Sequence, residues 1–148
     1  MEVDFKFKPI TIDEVYEIET WRYSGFEKRL FMTPYIGSNN LTGIMKGPGG
    51  CDGFAAYSNN ELAGIFEFTK EGDSLVIGLA LNPQLVGKGL SSDFTRQGID
   101  FGLTEYSGIK EIWLSVHPEN VPAVKTYKKV GFQVMDENPE ELKMKLSI

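Results

Sequence analysis

Residues 84–94 read "QLVGKGLSSDF", two glycines flanking a lysine where an apolar run ends and a helical pattern begins. Backbone N–H groups converge at such a strand-to-helix corner and the helix dipole favours an anion there, so the position suits a phosphate. A plain tight turn, with Gly87 and Gly89 serving conformation only, would use the same residues. Two phosphate loops with defined mechanics are excluded. A P-loop needs glycine at position 82, where Asn82 stands, and Ser or Thr after its lysine, where Lys88 is followed by Gly89. The dinucleotide fingerprint would take Gly87 and Gly89 as its first two glycines. Its third position is Ser92, and no βαβ unit with a suitably spaced acidic residue is evident.

Upstream of this loop, "SLVIGLAL" (residues 74–81) is nearly all apolar and predicts a central strand covered on both faces. Before it, "GFAAYS" and "ELAGIFEF" flank Asn59 and Asn60, a hairpin whose turn uses asparagine's tolerance of left-handed backbone. Downstream, Leu90, Phe94, Gly98 and Phe101 make a helical stripe in which Gly98 allows close approach to the sheet. "EIWLSV" (111–116) reads as another buried strand, and "NVPAVKTYKKVG" (120–131) as a short helix with Pro122 near its start and Gly131 as its stop. "FQVM" and the alternating "LKMKLSI" finish the sheet. At the N-terminal end, Thr11 and Glu14 form a capping box, and Ile12, Val15, Ile18 and Trp21 recur at helical spacing. Residues 24–45 are expected to hold a second helix and a loop, and "KGPGGCDG" (46–53) to be a connection without a regular element. The sum is a single α+β domain over residues 1–148, built on a mixed sheet.

Composition narrows the function. A chain of 148 residues with 41% hydrophobic and 24% charged residues suits one soluble globular core, and no apolar run approaches the ~20 residues that cross a bilayer. "MEVDFKFKPI" lacks the basic-then-apolar pattern of a secretory signal, so a cytoplasmic chain without membrane association is expected. One cysteine, Cys51, excludes an internal disulfide, and one histidine, His117, leaves no zinc site of the usual spacing, so no metal is expected. A formal charge of −6 argues against a nucleic-acid partner and mildly favours a cationic one. Oligomeric state is not readable.

Taken with "LSVHPENVPAVKTYKKVGF" at residues 114–132, the loop "QLVGKGL" resembles the N-acetyltransferases of the GNAT superfamily. Gln84, Gly87 and Gly89 match in order the family's Gln/Arg-x-x-Gly-x-Gly/Ala motif, and Asn120, Ala123, Tyr127, Gly131 and Phe132 look like its Asn, Ala, Tyr, Gly-Phe segment. The motifs cover the C-terminal half, and the order of elements agrees over most of the chain. The resemblance implies a GNAT-like α/β/α fold, a mixed, mostly antiparallel twisted sheet flanked by helices. It further implies acetyl-CoA as co-substrate, with transfer to a primary amine by direct attack through a tetrahedral intermediate; the acceptor would be a small molecule or a peptide.

The resemblance assigns roles that the residues can fill. Gly87 and Gly89 let the backbone approach the pyrophosphate, the helix from Leu90 aims free N–H groups at it, and Lys88 adds charge from the rim, with Gln84 and Val86 completing the loop. Ser91 departs from members that carry another glycine there. Backbone around Leu79 and Leu81 would hold the acetyl carbonyl and pantetheine, and Asn120 would bind pantetheine amides or simply cap its helix. Tyr127 would protonate the leaving thiolate, or, read without the resemblance, would be a core aromatic beside Ala123 and Val130. For the base, Glu67 shares a strand face with Ala63 and Ile65; this places its carboxylate either in the cleft beside "SLVIGLAL" or on a half-solvated surface. His117, before Pro118, is expected at the surface, and a Cys51–His117 hydrolase pair lacks an orienting third group. Trp21, Arg22 and Tyr23 either line an acceptor pocket or form core with a snorkelling arginine. The reading from another class is a non-catalytic acyl-CoA-binding or regulatory domain that keeps the cofactor loop.

Overall fold

The structure, a computed structural model, describes residues 3–23 and 30–148. Among them, seven strands form one sheet in the order β1-β2-β3-β4-β5-β7-β6. These are β1 (Lys6–Pro9), β2 (Asp52–Ser58), β3 (Glu61–Glu71), β4 (Ser74–Leu81), β5 (Glu111–Val116), β6 (Gln133–Glu137) and β7 (Leu142–Ser147). Helices α1 (Ile12–Glu19), α2 (Thr33–Thr42), α3 (Ser91–Glu105) and α4 (Val121–Val130) cover the two faces. Every neighbouring pair is antiparallel except β4 with β5, so the sheet is mixed and mostly antiparallel, as expected.

Local chemistry explains the elements. Thr11 and Glu14 form the expected capping box: the Glu14 carboxylate accepts from the Thr11 N–H at 2.8 Å, and Thr11 Oγ1 accepts from the Glu14 N–H at 3.4 Å. Tyr57 donates to the same carboxylate and Lys8 pairs with it at 3.3 Å, fastening α1 to β1 and β2. Burial of α1 runs through Val15 and Ile18, and Trp21 joins that core just beyond the helix end. The expected second helix is α2, with Pro34 in its first turn and Gly43 closing it in left-handed backbone at φ 74°. Residues 24–29 of the ambiguous stretch lie outside the described residues. Asn59 and Asn60 take φ of 51° and 64° and make the β2–β3 turn as read from their sequence. The glycine-rich connection holds one 3₁₀ turn, Pro48–Gly50.

Phe66 and Phe68 of β3 and Leu75 of β4 pack against Phe94 and Ile99 of α3. A β-carbon on Gly98 would lie 2.0 Å from the Phe66 ring, so glycine sets how closely α3 approaches the sheet, as its position in the stripe predicted. The other core joins Ile65, Tyr35 and Cys51 to Val15 and Ile18 of α1. Two expectations need correction, the first in β5, which buries Ile112, Leu114 and Val116 but leaves Ser115 exposed. β4 is central, but only Leu75, Ile77 and Leu81 are buried; Val76, Gly78, Leu79 and Ala80 are half-covered. For Gly78, Leu79 and Ala80 the cause lies in the parallel neighbour of β4. β4 and β5 pair only at Ser74–Val76 against Glu111–Trp113, while β5 stays paired with β7 along its whole length. Beyond Val76 the two strands part.

Candidate active site

The parting of β4 and β5 opens a cleft of about 670 Å³. One wall is Ile77–Leu81 of β4, the other Leu114–Val116 of β5 with His117, and α4 closes one end through Asn120, Ala123 and Tyr127. Every strand residue carries an N–H and a C=O, so the β4 edge beyond Val76, left without β5, turns backbone polar groups toward the cleft.

After β4 the chain turns sharply and the turn is pinned. Asn82 donates to the Leu62 carbonyl at 3.1 Å and accepts from the Gln84 N–H at 2.9 Å, and its own N–H reaches the Ala63 carbonyl at 2.7 Å. The 3₁₀ turn Pro83–Leu85 then delivers Val86, Gly87, Lys88 and Gly89 to the surface. Gly87 and Gly89 have φ of 82° and 76°, and a β-carbon on either would meet nothing among the described residues within 4 Å. Left-handed backbone therefore demands glycine here, and the space above the loop is open. Leu90 precedes α3 without a side-chain cap, so among the described residues no side chain satisfies the first N–H groups of the helix, from Ser91 onward. Among the predicted loop residues Val86 and Ser91 line the cleft, whereas Gln84, Lys88 and both glycines are exposed beside it.

Leu79 and Leu81 sit on the cleft wall, and the Leu81 carbonyl accepts a hydrogen bond from the Tyr23 hydroxyl. Tyr23 is thus the member of the Trp21–Tyr23 cluster that lines the cleft. Trp21 is core, and Arg22 Nη1 donates to the Glu19 and Trp21 carbonyls. Asn120 caps α4 by accepting from the Ala123 N–H at 3.4 Å while also lining the cleft. Tyr127 is half-buried, its ring edge-on to Phe132 at 6.0 Å between centroids. Its carbonyl accepts from the N–H groups of Gly131 and Phe132 at 3.1 and 2.9 Å. The spacing Tyr-x-x-x-Gly-Phe is therefore a helix stop that also fixes the tyrosine. His117 is half-buried on the cleft wall, with Nδ1 accepting from the Glu119 N–H at 3.1 Å, which corrects the surface placement read from sequence.

Of the two placements open to Glu67, the cleft is the one observed. It lies opposite Gly78 in the β3–β4 register, and its Oε1 is 3.2 Å from where a Gly78 β-carbon would stand. Burial raises its carboxyl above the usual glutamate range, opposed by hydrogen bonds from Tyr35 and Cys51. The Tyr35 hydroxyl donates to Glu67 Oε2 at 2.5 Å. Sequence reasoning missed Tyr35, which comes from a helix whose register the sequence left ambiguous. Burial pushes the Cys51 thiol up to about 11, which removes it as a nucleophile near neutrality. No group of three or more metal-ligating side chains occurs among the described residues, nor a helix long and apolar enough to cross a membrane.

An open, mixed sheet parted at its parallel pair, with a glycine turn and a helix start beside the gap, is the architecture on which the comparison with known proteins can be made. Residues 12–132 match the model of the Acetyltransferase (GNAT) family, and the chain belongs to that family. Solved structures share the fold. A spermidine N-acetyltransferase SpeG chimera from Vibrio cholerae and hSSAT matches with TM-score 0.74 at 16% identity, over 97% of this chain and 95% of that one. Campylobacter jejuni N-acetyltransferase PseH in complex with acetyl coenzyme A matches with TM-score 0.71 at 20% identity, over 97% and 98%. Aminoglycoside acetyltransferase AAC(6')-Ib in complex with coenzyme A gives 0.72 at 14%, over 97% and 95%. No curated protein matches the chain.

Proposed function

We propose that the protein transfers the acetyl group of acetyl-CoA to the primary amine of a small molecule or peptide by direct attack. The observation that carries this reading is the convergence of three features on the cleft. The β4 edge that β5 leaves, the start of α3 and the half-buried carboxylate of Glu67 all meet there. The residues fit coenzyme A. Gly87 and Gly89 leave open space above a turn of backbone N–H groups next to a helix N-terminus, which suits a pyrophosphate. The β4 edge offers N–H and C=O groups in the alternation that an amide-bearing pantetheine arm can match.

Bound acetyl-CoA supplies a thioester carbonyl as the electrophile. The protein's share is proton management and positioning. Glu67, raised by burial, is suited to accept the proton an ammonium acceptor must lose. Tyr127 lines the cleft, and its hydroxyl is suited to return a proton to the departing sulfur. Solved relatives named for spermidine and for aminoglycosides support an amine acceptor.

A coenzyme A release assay over a panel of primary amines, with a heat-inactivated control, tests the reading. Release with at least one amine, strongly reduced but still measurable in Glu67→Gln, is the expected result. Acetyl-CoA binding without release on any amine would assign the chain to the non-catalytic acyl-CoA-binding class instead.

A further inference from the structure

We propose that Tyr35 is a positioning residue for Glu67: delivered by α2, its hydroxyl holds one carboxylate oxygen inward and leaves the other turned to β4 at Gly78. The inference rests on the reading of Glu67 as the base, and it concerns how that base is aimed.

Three observations carry it. Tyr35 is fully buried, at 0% exposure, although it belongs to a short helix otherwise little buried. Its ring occupies a slot that only glycine can form: a β-carbon on Gly47 would lie 2.4 Å from the ring, and one on Gly53 would lie 2.3 Å from the hydroxyl oxygen. The ring is thereby held on both sides, and its Oη is 2.5 Å from Glu67 Oε2. Glu67 Oε1, the other oxygen, faces the Gly78 position of β4, where the cleft begins. A carboxylate gripped at one oxygen keeps its remaining lone pairs in one direction, which is what a base needs to meet an amine repeatedly at the same angle.

The electrostatics agree with this geometry. Burial first, and then the Glu67 charge, hold the Tyr35 hydroxyl far above the usual tyrosine range, so it stays a donor at every working pH. Its hydrogen bond favours the charged carboxylate and restrains the rise that burial imposes on Glu67. From the connection before β2, Cys51 is the other titratable group acting on Glu67, its Sγ 3.7 Å from the Tyr35 hydroxyl. Among the described residues, β4 presents Gly78 there, and Tyr23, His117, Glu119 and Tyr127 are the titratable groups on the rest of the cleft wall.

Tyr35→Phe keeps the ring in its slot and removes only the donor. Expected is a folded protein with unchanged acetyl-CoA affinity, and a kcat/KM near neutral pH lower by about tenfold, the worth of one hydrogen bond to a charged group. The acidic limb of its pH profile should move to higher pH, with recovery in the alkaline range. In a Glu67→Gln background the same substitution should change the rate less than about twofold, because two residues acting as a unit are not additive. A Tyr35→Phe profile that superimposes on wild type, or an equal loss in both backgrounds, overturns the proposal. Wild-type turnover in Glu67→Gln would instead remove the base reading itself. If Tyr35→Phe does not fold, proton NMR of the wild-type protein decides. An exchange-protected downfield tyrosine hydroxyl signal that vanishes in Glu67→Gln supports the contact, and its absence overturns it.

Discussion

Removing one oxygen from Tyr127 separates catalysis from cofactor binding. Tyr127→Phe retains the edge-on ring contact with Phe132 and the carbonyl bonds that end α4, so fold and acetyl-CoA affinity should be preserved. If the hydroxyl protonates the leaving sulfur, kcat falls by about 10² to 10⁴ while KM for acetyl-CoA stays nearly constant, and steady-state kinetics on the best amine read both. A wild-type kcat would remove the acid role. Glu67 gives a prediction of opposite sign for stability and activity. Its carboxyl is raised in the folded protein, chiefly by burial, so folding binds a proton more tightly there than the unfolded chain does. Its favourable contribution is complete below the ordinary glutamate value of about 4.3 and is lost as pH rises through the folded value. Glu67→Gln should therefore match wild type in acid and exceed it in urea midpoint at neutral pH, while losing the acidic limb of the rate profile and most of the turnover. A variant less stable than wild type at neutral pH would mean that burial does not dominate at this site. The stability gained by removing a working carboxylate would be the ordinary trade between activity and stability at a functional site.

At the scale of elements, the turn from β4 into α3 concentrates the cofactor reading. Gly89 sits at φ 76° with open space above it, immediately before an uncapped helix. Gly89→Glu places a side chain in left-handed backbone and a negative charge where a pyrophosphate is expected, at a surface loop away from the core. Acetyl-CoA affinity by calorimetry should weaken at least about tenfold while circular dichroism remains native; an unchanged Kd would sink the loop assignment. Much of this element was legible because its signals are local. Glycine pairs, helical stripes, the capping box at Thr11 and the Asn59–Asn60 turn act over a few residues, so sequence alone carries them. What escaped depends on pairing between distant segments. The side of the chain on which Glu67 lies could be read from strand alternation, but whether that side is solvent or cleft is decided by β5 leaving β4 after Trp113. The same departure turns His117 from surface to cleft wall. Tyr35 was invisible for a related reason, since its slot is made by Gly47 and Gly53 and its partner lies on a third segment. Gly98 succeeded where these failed, because a glycine inside an apolar stripe already reports a close approach whatever it approaches.

Across the whole molecule the sheet behaves as two halves. β1 to β4 form one continuous antiparallel run, β5, β7 and β6 another, and the join between them is a parallel pairing of three residues, Ser74–Val76 with Glu111–Trp113. Packing of α3 on Phe66, Phe68 and Leu75, and of α4 on the same core, supplies the rest of the connection. A ligand that pairs with the free β4 edge, reaches the α3 N-terminus and contacts α4 would touch both halves at once. Its binding energy should then appear as global stability as well as local order. At a concentration about a hundredfold above Kd, binding to the native state alone contributes about 2.7 kcal/mol. For a domain near this size that corresponds to a rise in Tm of about 5–10 °C, measurable by scanning calorimetry. Coenzyme A should produce a comparable shift, because the acetyl group adds few contacts, and Gly89→Glu should lose most of it. Hydrogen exchange supplies the spatial check. Protection should rise at Ile77–Leu81 and at the first turn of α3 more than at β1 or β6, which stand at the two outer edges of the sheet. A shift in Tm without new protection along β4 would place the ligand elsewhere than the parting of the strands, and no shift with either compound at millimolar concentration would remove the cofactor reading altogether.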